Sequence, residues 1–233
     1  MRLILIRHGQ TPNNILSLLD TAIPGPGLTV LGEQQAAAVP AALRDEEIGS
    51  IYVSNLTRTA LTAEPLARER GLAPLVREGL REISAGDLEM KGDTDSLMAY
   101  MTVMKSWLTG DLSARIPGGD NGFEVLERFD AVVAEAAANE SAGAVAMVSH
   151  GAMIRLWAGH RGTNINWADP TFHELSNTGI VTMEGAPAGS HAPGGWEIID
   201  WQGAPAGGVG GGDFDGATAD LTAGGILADH EQG

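Results

Sequence analysis

The chain contains no cysteine. That excludes disulfide staples, thiol nucleophiles, iron–sulfur clusters and thiolate-held zinc, and leaves the redox compartment open. It is also short of base: 14 Lys and Arg stand against 30 Asp and Glu, a net charge of −16. Such a field repels a phosphate backbone or an anionic bilayer, so neither nucleic acid nor membrane is an expected partner. Trp107, Trp157, Trp167, Trp196 and Trp201 lie outside any dense basic patch and are assigned to core and hairpin packing rather than base stacking. Long apolar runs are missing too. Leu3–Ile6 is cut at once by Arg7, far short of a signal-peptide core or a bilayer span, and a cytoplasmic protein is expected. His160, His173, His191 and His230 show no paired-ligand spacing and are read as surface or packing residues, although Phe172–Glu174 enters a candidate strand. No metal and no cofactor is expected.

What is present is enough chain for a core: 233 residues can bury roughly 70–75% of the unfolded surface. Leu3–Ile6, Ser50–Val53 and Ala144–Val148 are continuous apolar runs, the pattern of strands buried on both faces. Between them, Thr29–Arg44 predicts a helix capped by Thr29 and disturbed at Pro40. Thr57–Arg70 predicts a second that stops at Gly71, and Asn121–Asn139 a third. Strand–helix–strand alternation argues an α/β fold with a mainly parallel sheet. Within Asp93–Gly110, Leu97, Met101, Met104 and Leu108 share one helical face, and four of the eight methionines fall between Met90 and Met104. This stretch reads as a helix packed on the core, or as an adaptable apolar roof over a site. Ten of the 31 residues from 203 to 233 are glycine, so a Gly/Ala-rich acidic tail at 203–233 is expected to drape loosely outside a single domain at 1–202. Segments near Thr178–Met183 and Trp196–Trp201 are candidate edge strands for a homodimer.

Two places share one design. A buried strand runs into Arg7-His8-Gly9, and another into Ser149-His150-Gly151. In an open parallel sheet the carboxyl ends of the strands share one crevice, so the two histidines are expected to face each other there. Thr11 is placed to cap a helix with Pro12 at its first position, and a helix N-terminus suits an anion. Arg58 starts the helix after the Ser50–Val53 strand and adds a second guanidinium at that edge, with a bidentate geometry that suits phosphate. Leu80–Glu89 brings acids after a short strand at Leu75–Val76. A carboxyl group there, kept protonated by apolar neighbours or an anionic ligand, can serve as a general acid.

Taken in order, these segments resemble the histidine phosphatase superfamily, the phosphoglycerate-mutase-like proteins. Arg7-His8-Gly9-Gln10-Thr11 with Asn14 is similar to the family's first signature, and Leu28–Ala36 to the segment that follows it. Ser54–Glu64 resembles the second-arginine motif, Leu80–Glu89 the acid-donor motif, Pro117–Asp120 the loop before the next helix, and Val148–Gly151 with Ile154-Arg155 the second-histidine motif. The resemblance implies a three-layer α/β/α architecture with a helical cap insertion at about 88–122. It further implies that His8 is the nucleophile, that Arg7, Arg58 and His150 bind the transferring phosphoryl group, and that Glu82 is general acid and base. Asn14, Gln10, Thr11 and Gly151 are the further expected substrate contacts. Where the family's phosphatases often carry Trp-Glu-Gly, this chain has Leu88-Glu89-Met90, and Leu61 sits where glutamine is common.

The expected activity is metal-independent hydrolysis of a small phosphorylated metabolite through a phosphohistidine. A phosphoglycerate mutase is the alternative, but such mutases need extra cap cations, and from Lys91 to Arg128 this chain has only Lys91, Lys105, Arg115 and Arg128, none adjacent to another. A silent phosphate-binding module is the alternative of another kind. It is disfavoured because all five chemical positions hold competent residues.

Overall fold

The computed structural model describes residues 1–139, 143–167, 169, 172, 174–187 and 195–210. Its centre is a six-stranded sheet of β1 (Arg2–Arg7), β2 (Ile48–Val53), β3 (Leu75–Val76), β4 (Ala144–Ser149), β5 (Ile180–Gly185) and β6 (Trp196–Gln202), in the order β3-β2-β4-β1-β5-β6. β3, β2, β4 and β1 run parallel, whereas β5 is antiparallel to both β1 and β6. Alternation along β1 sends Leu3 and Leu5 into one core and Ile4 and Ile6 into the other, which is why that strand reads as an unbroken apolar run.

Helices cover both faces, giving three α/β/α layers. On one side α2 (Val30–Ala42) and α3 (Thr57–Arg70) contribute Val39, Ala63 and Leu66. On the other, α4 (Thr94–Leu108), α5 (Gly122–Ala138) and α6 (Gly151–Arg161) contribute Tyr100, Phe129 and Trp157. A single turn, α1 (Pro12–Ile15), follows β1. Start and stop signals act as their chemistry requires. Thr29 accepts from the Gly32 N–H, Asn121 and Glu124 form a reciprocal capping box, and Gly71 ends α3 at φ 66°.

Three expectations need correction. The segment at Thr178–Met183 is no edge: β5 lies inside the sheet between β1 and β6, because the final hairpin folds back beside β1. The α4 face centres on Tyr100, Met101, Met104 and Trp107, with Leu97 and Leu108 only partly buried. The first tail residues are packed, not draped: Ala206 is buried in the α2–α3 core and donates its N–H to Thr178 Oγ1 at 3.2 Å. His160 packs as expected, against the Trp107 carbonyl at 3.0 Å; His173, His191, His230 and the tail from 211 lie outside the described residues.

Met90 stands at φ 60°, a left-handed conformation that favours glycine. Its N–H is pinned to the Leu19 carbonyl at 2.8 Å, so the side chain cannot relax the backbone. Met90→Gly is expected to stabilise the fold by about 0.5–1 kcal/mol, and Met90→Val to destabilise it; urea unfolding midpoints of the two variants against the wild type measure this.

Candidate active site

Three parallel strands end level with one another. The register pairs Arg7 with Ser149 and Val53 with Val148, so His8 and His150 leave the sheet at one height and Ser54 one residue below them. The His8 N–H donates to the Ser149 carbonyl at 3.1 Å and the Ser54 N–H to the Val148 carbonyl at 3.3 Å. The ring centroids of His8 and His150 lie 5.1 Å apart, edge to face at 62°.

Hydrogen bonds select the tautomers. His8 Nδ1 is 2.8 Å from the Gly9 carbonyl; a carbonyl can only accept, so Nδ1 carries the proton and Nε2 keeps the lone pair. His150 has the opposite arrangement. Arg58 Nε donates to its Nδ1 at 3.3 Å, leaving Nε2 to donate to Ser54 Oγ at 2.8 Å. Both rings are neutral. Burial pushes His8 well below the usual imidazole range, reinforced by Arg58 and then Arg7. Burial lowers His150 likewise, followed by Arg58 and His8.

A small pocket opens here, and Arg7, His8, Thr11, Asn14, Arg58 and Glu82 line it. Arg7 Nη1 donates to the Leu175 carbonyl at 2.6 Å. Its guanidinium passes over Gly151, where a Cβ would stand 3.1 Å from Nε. Thr11 and Asn14 form the capping box of α1, which keeps the Asn14 amide beside the crevice. Glu82 is 7% exposed, at the start of α6, where its carboxylate accepts from the N–H groups of Ala152 at 3.3 Å and Met153 at 3.1 Å. His150 and Gly151 lie behind this lining. Gln10 turns toward α2: its N–H donates to Gln35 at 2.9 Å and its side-chain oxygen accepts from Thr29 at 2.9 Å.

Sequence reasoning missed Asp20, Tyr100, Asn177 and Arg128. Asp20 and Tyr100 also line the pocket. Asn177 donates to the His8 carbonyl at 2.9 Å. Arg128 on α5 clamps the acid-bearing loop by donating to the carbonyls of Gly79, Arg81 and Glu82 at 2.7, 2.7 and 3.1 Å. Among the described residues no group of three or more His, Asp or Glu is arranged to hold a metal ion, and no helix is long and apolar enough to cross a membrane.

Residues 3–198 match the histidine phosphatase superfamily (branch 1). The chain belongs to that superfamily and, with it, to the enzymes of histidine phosphatase type. It is 36% identical over 217 residues to the "PE-PGRS family protein PE_PGRS11" of Mycobacterium tuberculosis, covering 87% of this chain but 36% of that protein, so it spans about a third of that relative. It is 30% identical over 151 residues to the "Probable phosphoglycerate mutase GpmB" of Escherichia fergusonii, covering 65% of this chain and 70% of that one. Among solved structures, a mycobacterial glucosyl-3-phosphoglycerate phosphatase in complex with VO3 superposes with a TM-score of 0.69 at 26% identity, covering 87% of this chain and 99% of the other. A phosphoserine phosphatase of Entamoeba histolytica gives 0.64 at 26% identity, covering 86% and 96%.

Neutral buried histidines couple the fold to pH. Below about 6.5 the unfolded imidazoles take up protons that the folded ones refuse, so stability is lost as pH falls, by up to about 1.4 kcal/mol per pH unit for each ring. His8→Gln is therefore expected to lose less stability than the wild type between pH 7 and pH 5. Equal losses in urea titrations at the two pH values would mean that His8 is not held neutral.

Proposed function

We propose that this protein hydrolyses phosphomonoesters of small metabolites without a metal, through a phosphohistidine on His8. The observation that carries this reading is the His8 tautomer: Nδ1–H is held by the Gly9 carbonyl, and Nε2 is left with its lone pair in a pocket lined by two guanidiniums. Attack of Nε2 on phosphorus forms the N–P bond as the ester O–P bond breaks. Glu82 gives its proton to the departing alkoxide, which leaves as the alcohol. Water then attacks the phosphohistidine, Glu82 takes a proton from it, the N–P bond breaks, and inorganic phosphate leaves with His8 restored. Arg7, Arg58 and Asn14 are assigned to the phosphoryl oxygens, where charge spreads in the transition state. His150, expected there too, lies behind the lining with its N–H on Ser54 and Nδ1 accepting from Arg58, so its assigned role is to fix that guanidinium. The phosphatases with similar structures support hydrolysis of small phosphorylated compounds.

The relatives named as probable phosphoglycerate mutases favour a second reading, in which the phosphohistidine returns its phosphoryl group to another hydroxyl. Incubation with a phosphoglycerate separates the two: the hydrolase releases inorganic phosphate, the mutase yields the positional isomer. His8→Ala is expected to abolish phosphate release from every phosphomonoester, and persistence of activity would overturn the nucleophile assignment. Glu82→Gln is expected to slow an alkyl phosphate by about a hundredfold or more, and nitrophenyl phosphate much less, because nitrophenolate departs without needing a proton. Equal slowing of both esters would remove Glu82 from the acid role.

A further inference from the structure

Asp20 was not among the residues singled out by the sequence, and no step above uses it. Its carboxylate oxygen Oδ2 lies 3.6 Å from Arg58 Nη1, with the two side chains 9% and 3% exposed. This is an ion pair too long to be a hydrogen bond, so the carboxylate offsets the charge of the guanidinium without occupying it. Asp20 cannot swing away. Its Oδ2 accepts from Asn13 Nδ2 at 3.0 Å, and its own carbonyl accepts from Arg58 Nη2 at 2.9 Å. The next residues are anchored by Glu89, whose carboxylate accepts the N–H groups of Thr21 at 2.8 Å and Ala22 at 2.9 Å and the Thr21 hydroxyl.

The pocket lining thus sets the Asp20 carboxylate against the guanidiniums Arg7 and Arg58, with His8 neutral among them and Glu82 holding the proton it gives to the leaving group. A phosphoryl dianion draws on both cations. Nothing in that lining remains to neutralise a second anionic group, and the rest of the wall includes Leu18, Leu19 and Tyr100, whose hydroxyl already donates to the Ile83 carbonyl at 3.1 Å.

We infer that Asp20 is a specificity-determining residue, a fixed negative charge that weakens anion binding at Arg58 and selects phosphomonoesters whose alcohol part carries no charge over those bearing a carboxylate. The substrate half of this inference rests on the hydrolase reading; the anion-binding half does not. Asp20→Asn keeps an acceptor for Asn13 and removes the charge, and Asp20→Ser removes it with a smaller side chain.

Inorganic phosphate binding, measured by calorimetry at low ionic strength, is expected to tighten about tenfold in Asp20→Asn, the scale of one charge a few ångströms away in a partly wet pocket, with a smaller gain at high salt. The wild type is expected to hydrolyse glycerol 3-phosphate with a higher kcat/KM than 3-phosphoglycerate, and the variant to reduce that ratio about tenfold by improving the phosphoglycerate. Should both variants bind phosphate no better than the wild type, or slow the two esters equally, Asp20 only props Arg58 and the inference fails. A wild type that binds phosphate but hydrolyses neither ester defeats the hydrolase reading, while the phosphate titration still decides whether Asp20 opposes anions.

Discussion

Arg58 donates through Nε to Nδ1 of His150 at 3.3 Å, a bond that exists only while Nδ1 keeps its lone pair. Much of the crevice depends on that condition. A protonated His150 would set two cations against each other at a fully buried ring, where charge is poorly screened. Burial and the guanidiniums keep the ring neutral, and Ser54 takes the remaining N–H. Ser54 is fixed in turn, its hydroxyl accepting the Leu56 N–H at 3.2 Å at the entry to α3. One strand end, one helix start and two side chains therefore fix a guanidinium plane, and positioning of this kind is most of what phosphoryl transfer asks of a protein.

The same strand ends explain why much of the site was legible in the sequence. His8, His150 and Arg58 each follow a short apolar run, and a parallel sheet brings such ends to one edge whatever lies between them. Thr11 was legible for a local reason, since a cap before Pro12 is set by spacing, whereas Asn14 was expected only from the resemblance. Asn177 was not. It reaches His8 because β5 runs antiparallel to β1, so the start of one strand meets the end of the other; continuous apolar runs give no strand direction. Tyr100 was hidden differently. Helical spacing pointed to a methionine face, but the residue that reaches the pocket lies one turn before Met104 on the same buried side. Gln10, which the resemblance implied as a substrate contact, is turned toward α2 by the close approach of β1's exit to Gly32, where a Cβ would stand 2.2 Å from the Gln10 carbonyl.

Local rules were broken mainly in the loop facing Arg58. Met90 occupies a left-handed position, and the preceding Glu89 spends its carboxylate on the Thr21–Ala22 backbone instead of on a cation. Strain and a committed acid in one loop are costs that packing alone does not require. Their common effect is to hold residues 20–22 against Arg58. The acid that anchors them, Glu89, is the residue this loop shares with the usual Trp-Glu-Gly run, and Met90 adds a backbone bond to Leu19.

Charge balance bears on whether the intermediate is kept or lost. A mutase must hold a doubly substituted acid while its phosphoryl group changes position, and that requires cations beyond those used on phosphorus. In this pocket the two lining guanidiniums are taken up by phosphorus, Asp20 opposes one of them, and the whole chain adds a net −16 around them. Salt screens the distant part of that field within about 8–10 Å, so Asp20 in the wall outweighs the surface acids. A carboxylate-bearing alcohol freed in such a pocket is repelled by Asp20, while water enters without electrostatic cost. On the proposed mechanism the phosphohistidine would then be exposed to water once the first product has gone, which favours hydrolysis over return of the phosphoryl group.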